Sequence, residues 1–141
     1  MGDNPWGAWG APGAPQFQMN VLIIDDDAEI GRTLGNLLER RKHTVTLATR
    51  GQEALGLAKT TAFDIVILDV RMPDMDGFGV LQALRAQGSA GGVIMLTGQG
   101  DVEDAVRAQQ LGADDYLPKP IRIAALDRVL AAIGGRKKPP S

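Results

Sequence analysis

Between Phe63 and Gly77 the chain reads Phe-Asp-Ile-Val-Ile-Leu-Asp-Val-Arg-Met-Pro-Asp-Met-Asp-Gly, and this stretch restricts the fold more than any other. Ile65 to Leu68 is an apolar, largely β-branched run with the length of a fully buried strand. It ends on a carboxylate, Asp69, and the Met-Pro and Asp-Gly pairs that follow stop the strand from continuing. A strand buried on both faces needs a packed layer above and below it. Asp69 is therefore expected where such a strand surfaces, rigid at its base and open at its tip.

The same unit recurs along the chain. Val21 to Ile24 is a second buried-strand run, ending in Asp25-Asp26-Asp27. Ile30, Leu34, Leu37 and Leu38 then mark one face of a helix that finishes in Arg40-Arg41-Lys42, a basic end that suits the helix dipole. Thr44 to Ala48 reads as a strand, 52–59 as a helix and 77–87 as another, with Phe78, Leu81 and Leu84 facing inward. Val93 to Leu96 is a strand ending at Thr97-Gly98; the next helix starts from an N-cap at Asp101 and closes at Leu111-Gly112. A short strand, Asp115 to Leu117, precedes Pro118-Lys119-Pro120, and a last helix carrying Leu126, Val129, Leu130 and Ile133 is expected to stop at Gly134-Gly135. Strands that alternate with helices and lack a polar face predict an α/β, doubly wound parallel sheet. In such sheets ligands bind beyond the carboxyl ends of the strands.

The ends differ from this core. Residues 1–18 are rich in Gly, Pro and Ala, show no period and contain both tryptophans, Trp6 and Trp9; they read as a flexible leader, with a docking segment as the sharper alternative. Residues 135–141 read as a basic tail, which leaves 19–134 as the folded domain. With no cysteine, a disulfide framework and a thiolate metal site are both excluded. No apolar run approaches the roughly 20 residues of a membrane span, and the start lacks a signal peptide's pattern, so no membrane insertion and a cytoplasmic location are expected. A net charge of −2 exerts no global pull on nucleic acid.

The unusual polar residues all follow strand ends: Asp25 and Asp26, Asp69, Thr97 and Lys119. Strand ends of a parallel sheet share one edge, so these side chains are expected to meet in one cleft. Two carboxylates about 4 Å apart repel by roughly 4 kcal/mol at an effective dielectric near 20. A proton or a cation must relieve this. Oxygen donors without His or Cys select a hard ion, and a small open cluster suits Mg²⁺. With Lys119 and the Thr97 hydroxyl opposite, Asp69 is placed as a nucleophile toward phosphorus.

Four segments together carry a family resemblance: Val21 to Asp27, Leu68 to Gly77, Ile94 to Gly98 and Tyr116 to Pro120. In order and spacing they resemble the receiver domain of two-component response regulators across about 20–133. The resemblance implies a flavodoxin-like, five-stranded sheet of order 2-1-3-4-5 with five helices. It implies that a sensor histidine kinase phosphorylates Asp69, and that Asp26, Asp69 and the main-chain carbonyl of Arg71 bind Mg²⁺, with Asp25 acting through water. Thr97 and Lys119 would hold phosphoryl oxygens, Lys119–Pro120 would be a cis peptide, and Tyr116 would turn behind Thr97 as the switch that remodels the helix 4, strand 5, helix 5 face. Arg71 and Gln99 would flank the cleft mouth and tune dephosphorylation. The implied partners are the kinase, then a downstream protein target or a histidine phosphotransfer protein, with a phosphorylation-dependent homodimer as a further state.

Only eight residues follow Ile133, so direct DNA binding is not expected. Nor is turnover as an enzyme, beyond the domain's own phosphoryl transfer and slow autodephosphorylation. His43, the only histidine, precedes the second strand at the edge away from Asp69 and reads as a turn residue rather than a phosphoryl donor. Asp74, Asp76 and Asp101 read as turn and cap residues. Two alternatives remain. A haloacid-dehalogenase-like phosphatase would use Asp25-x-Asp27, Thr97 and Lys119, although Ala28-Glu29 and the lone Asp127 after Lys119 fit its motifs poorly. An adaptor or localisation module would act through the leader.

Overall fold

The computed structural model describes residues 18–88, 90–98 and 102–136. Within them the elements alternate as expected: β1 (Asn20–Ile24), α1 (Ala28–Arg40), β2 (Thr44–Ala48), α2 (Gly51–Thr60), β3 (Phe63–Asp69), α3 (Gly77–Gln87), β4 (Ala90–Thr97), α4 (Val102–Gln110), β5 (Asp115–Pro118) and α5 (Ile123–Arg136). The sheet order is β2-β1-β3-β4-β5 and every neighbouring pair is parallel. This is the flavodoxin-like winding, with five helices among the described residues.

Side-chain alternation along the central strands divides the core into two layers. Leu22, Ile24, Val66, Leu68, Val93 and Met95 pack with Ala54, Phe78, Leu81 and Leu84 on the side covered by α2, α3 and α4. Val21, Ile23, Ile65, Ile67, Ile94 and Leu96 pack with Leu34, Leu38, Leu126 and Leu130 on the side covered by α1 and α5. All twelve strand residues are buried, which is why β1, β3 and β4 carry no polar alternation. The edge strand β2 is less covered, and its Leu47 is exposed.

Several boundaries differ from the sequence reading, each for a packing reason. β4 begins at Ala90 and runs through Gly91 and Gly92. A Cβ on Gly91 would lie 2.6 Å from the Asp64 carbonyl oxygen, and one on Gly92 would press on Ile133, so glycine allows the approach of β3 and α5. The buried face of α1 is Gly31, Leu34, Gly35 and Leu38, with Ile30 and Leu37 only half-buried at its margin. The expected stop of the last helix at Gly134-Gly135 is incorrect: α5 continues to Arg136. Glycine disfavours a helix by about 1 kcal/mol, too little to end one that is seated on the sheet through Ile133 and a buried Gly134.

His43 is not a simple turn residue. It is buried, and its Nδ1 accepts the Met19 N–H at 3.1 Å, fixing the chain at the entrance to β1. Burial and the neighbouring Arg41 charge lower its pKa against the opposing influence of Asp127. The leader up to Phe17, Gln99, Asp101 and the tail from Lys137 lie outside the described residues. No described helix is long and apolar enough to cross a membrane.

Two glycines with opposite surroundings test this packing. A Cβ at Gly77 would collide with the Asp69 carbonyl and the Val70 backbone, whereas one at Gly56 in α2 meets nothing within 4 Å. In urea denaturation, Gly77→Ala is expected to lose about 1–3 kcal/mol and Gly56→Ala to gain about 0.5–1 kcal/mol.

Candidate functional site

Register brings the polar residues together. Ile24 pairs with Leu68, so Asp25 and Asp69 leave adjacent strands at the same level. Asp69 pairs with Leu96 and Thr97 with Pro118, which sets Thr97 and Lys119 along the same edge. The Lys119 N–H donates to the Thr97 carbonyl at 2.7 Å, and the Lys119–Pro120 peptide is cis, as the resemblance implied. Asp25, Asp69 and Thr97 are buried, being 1%, 5% and 3% exposed, while Asp26 is exposed at the rim.

Lys119 Nζ lies 3.1 Å from Asp25 Oδ2 and 3.3 Å from Asp69 Oδ1, a cation shared between two buried acids. Burial and then the Asp25 charge push the Asp69 carboxyl up from 3.8 to about 6, against the opposing pull of Lys119 and the Arg71 N–H. For Lys119, burial works against the charge, but contact with Asp25 and the Asp69 charge outweigh it and raise its pKa. One lysine thus leaves the cluster short of positive charge.

The same cluster fits a cation. Carboxylate oxygens of Asp25, Asp26 and Asp69 lie within 4.8 Å of one another. Asp25 Oδ1 accepts the Asp27 N–H at 2.9 Å, but its buried Oδ2 meets Lys119 as an ionic contact without a directed hydrogen bond. A buried acceptor of that kind, in a set of hard oxygen donors, suits a divalent ion.

Other expected residues separate by role. Arg71 donates its N–H to Asp69 Oδ1 at 3.4 Å, and its largely exposed side chain reaches Asp104 of α4 at 3.3 Å. Sequence reasoning did not anticipate Asp104. Tyr116 pairs with Met95 across the sheet and packs, half-buried, against the α3 and α4 side of the core. Asp27, read as part of the acidic run and of the alternative Asp25-x-Asp27 motif, is the N-cap of α1 and accepts the Glu29 and Ile30 N–H groups. Asp76 caps α3 through the Phe78 N–H, as expected. Asp74 also caps a helix, but a distant one: it accepts the Gly51 and Gln52 N–H groups of α2. His43 stays apart, since Met19 and Thr44 mark the opposite end of the sheet.

A family model described as the response regulator receiver domain matches residues 21–131. The chain belongs to that family. Receiver domains are the signalling domains of two-component response regulators, and the fold agrees with solved members. A response regulator protein from Burkholderia pseudomallei, solved with a phosphorylated aspartic acid, calcium ion and citrate, is 31% identical with a TM-score of 0.73, over 84% of this chain and 70% of that one. The receiver domain of Ssk1, solved with the histidine phosphotransfer protein Ypd1 from Saccharomyces cerevisiae, is 26% identical with a TM-score of 0.80, over 87% and 93% of the two chains. Among curated relatives, the probable transcriptional regulator ycf27 of Guillardia theta is 42% identical over 113 residues, 80% of this chain and 44% of the relative. The receiver chain spans about half the length of the curated relatives it matches.

The raised Asp69 pKa carries a definite pH signature. The folded protein binds that proton more tightly than the unfolded chain, so the associated stability is present below about 3.8 and lost as pH rises through about 6. Asp69→Asn is therefore expected to be more stable than the parent at pH 7 by about 3 kcal/mol, with the difference falling below about 1 kcal/mol near pH 4, in urea titrations without divalent ion.

Proposed function

We propose that this receiver domain accepts a phosphoryl group on Asp69 from the phosphohistidine of a sensor kinase and signals by a change at its α4, β5, α5 face. The observation that carries the reading is the Lys119 ammonium held between Asp25 and Asp69 at the cleft. An Asp69 carboxylate oxygen attacks phosphorus as the P–N bond to the donor imidazole breaks, and the electron pair of that bond returns to the imidazole. Lys119 offers a positive charge to a transferring oxygen, and the Thr97 hydroxyl donates to another. Asp25, Asp26, Asp69 and the Arg71 main-chain carbonyl are the groups to hold Mg²⁺, Asp25 through water. When bound, that ion neutralises phosphoryl charge that a single lysine leaves unbalanced.

The phosphoryl group then binds one arrangement of Thr97 and Tyr116 better than the other and shifts a pre-existing equilibrium. Because β5 and α4 adjoin Tyr116, the change is expressed on that face. A downstream protein, a second phosphorylated copy or a histidine phosphotransfer protein would read it, the last by analogy with the Ypd1 complex. These exchanges would take place in the cytoplasm. The haloacid-dehalogenase-like alternative needs Asp27 in its motif, whereas here Asp27 Oδ1 caps α1 through the Glu29 and Ile30 N–H groups.

Acetyl phosphate with Mg²⁺ is expected to add one phosphoryl group, about 80 Da, to the parent and none to Asp69→Asn, read by intact-mass spectrometry. A gain that survives Asp69→Asn would overturn the reading. Thr97→Ala is expected to be phosphorylated yet to lose phosphorylation-dependent binding to its partner, measured by affinity capture with and without beryllofluoride.

A further inference from the structure

The segment from Val70 to Asp76 is a loop with three fixed points. Its start is Asp69, at the end of β3. Its end returns to the same place, because the Gly77 N–H donates to the Val70 carbonyl at 2.8 Å and only a glycine fits against the Asp69–Val70 backbone. The third point lies outside the loop. Asp74 Oδ1 accepts the Gly51 N–H at 3.0 Å and Oδ2 the Gln52 N–H at 3.1 Å, so the carboxylate spans the first turn of α2. Beside it, Met75 packs so tightly on Gly51 that a Cβ there would lie 3.0 Å from the sulfur.

This tether replaces a local cap. Arg50, at the N-cap position of α2, makes no side-chain hydrogen bond to the helix. The first two N–H groups of α2 take their acceptor from the loop instead, and the helix dipole favours the negative charge of Asp74 there. Between the anchored Asp69 and the anchored Asp74 lies Arg71, whose N–H reaches Asp69 Oδ1 at 3.4 Å. With both flanks held, the Arg71 peptide has little freedom to move relative to Asp69.

We propose that Asp74 is a positioning residue for the phosphoacceptor site. By clamping the β3–α3 loop to α2, it holds the Arg71 main chain where its N–H supports Asp69 and its carbonyl can complete the Mg²⁺ site. The inference rests on the reading that Asp69 and the Arg71 carbonyl bind the ion. Its effect falls on ion affinity, because Asp74 touches neither the ion nor the phosphoryl group.

The test uses the full chain as the parent and as Asp74→Ala, Arg50→Ser and Arg50→Ser/Asp74→Ala. Arg50 has the extended conformation of an N-cap, φ −138° and ψ 147°, so a serine there can cap α2 locally. Mg²⁺ affinity is read by calorimetry, phosphorylation rate by acetyl phosphate at saturating Mg²⁺, and stability by the urea midpoint. Asp74→Ala is expected to weaken Mg²⁺ binding about tenfold while leaving the saturated rate little changed. Adding Arg50→Ser is expected to restore the urea midpoint without restoring Mg²⁺ affinity, separating the tether from a mere helix cap. Recovery of both in the double variant, or unchanged affinity in Asp74→Ala, overturns the proposal. Absence of Mg²⁺ binding in the parent would instead remove the underlying reading of the site, and the proposal with it.

Discussion

The structure depends on an unbalanced charge at the carboxyl edge of the sheet. Three carboxylates from two adjacent strands converge there, and a single ammonium, Lys119, sits between two of them. Asp69 and Asp25 are buried, so water screens their repulsion poorly. The domain tolerates this because the strands beneath are packed on both faces and cannot move apart to relieve it. The site is thus held in a state that a proton or a cation would improve.

The two-layered core places that charge as well as supporting it. Parallel pairing aligns Ile24 with Leu68 and Thr97 with Pro118, and this alignment makes one cleft from residues nearly a hundred positions apart. The loop after Asp69 adds a second kind of rigidity. Gly77 closes it onto the β3 backbone, and Asp74 joins it to α2. On the far side, Arg71 reaches Asp104, so the loop after Asp69 touches both α2 and α4. A change of charge at Asp69 therefore acts on an element with few ways to yield.

The alternation of elements was legible because it is written at short range. Runs such as Val21 to Ile24 and Ile65 to Leu68 have no polar side and can only be central strands, and turn residues after each run mark where it ends. Residue chemistry at those ends was legible too, since Asp, Thr and Lys stand out against apolar neighbours. Less legible were positions where local and tertiary preferences conflict. Gly91 and Gly92 look like strand breakers but sit inside β4, and Gly134 and Gly135 look like a helix stop but lie within α5. In each case packing against a neighbouring element outweighs a preference worth about 1 kcal/mol.

The sequence by itself determined the fold class, the edge of the sheet that bears the site and the residue types available there. Those follow from periodicity and turn chemistry within a few residues of each position. Tertiary structure decided what each acid does. Asp25 binds Lys119, Asp27 caps its own helix, Asp74 caps a helix 22 residues earlier and Asp104 pairs with Arg71. His43, which looked like a turn residue, became a buried anchor for Met19. Asp27 apart, whose partners are local, these acids differ only in which distant N–H or cation the fold brings within 3 to 3.5 Å. No local pattern contains that information, because the partner is chosen by the pairing of the sheet and not by the neighbours in the chain.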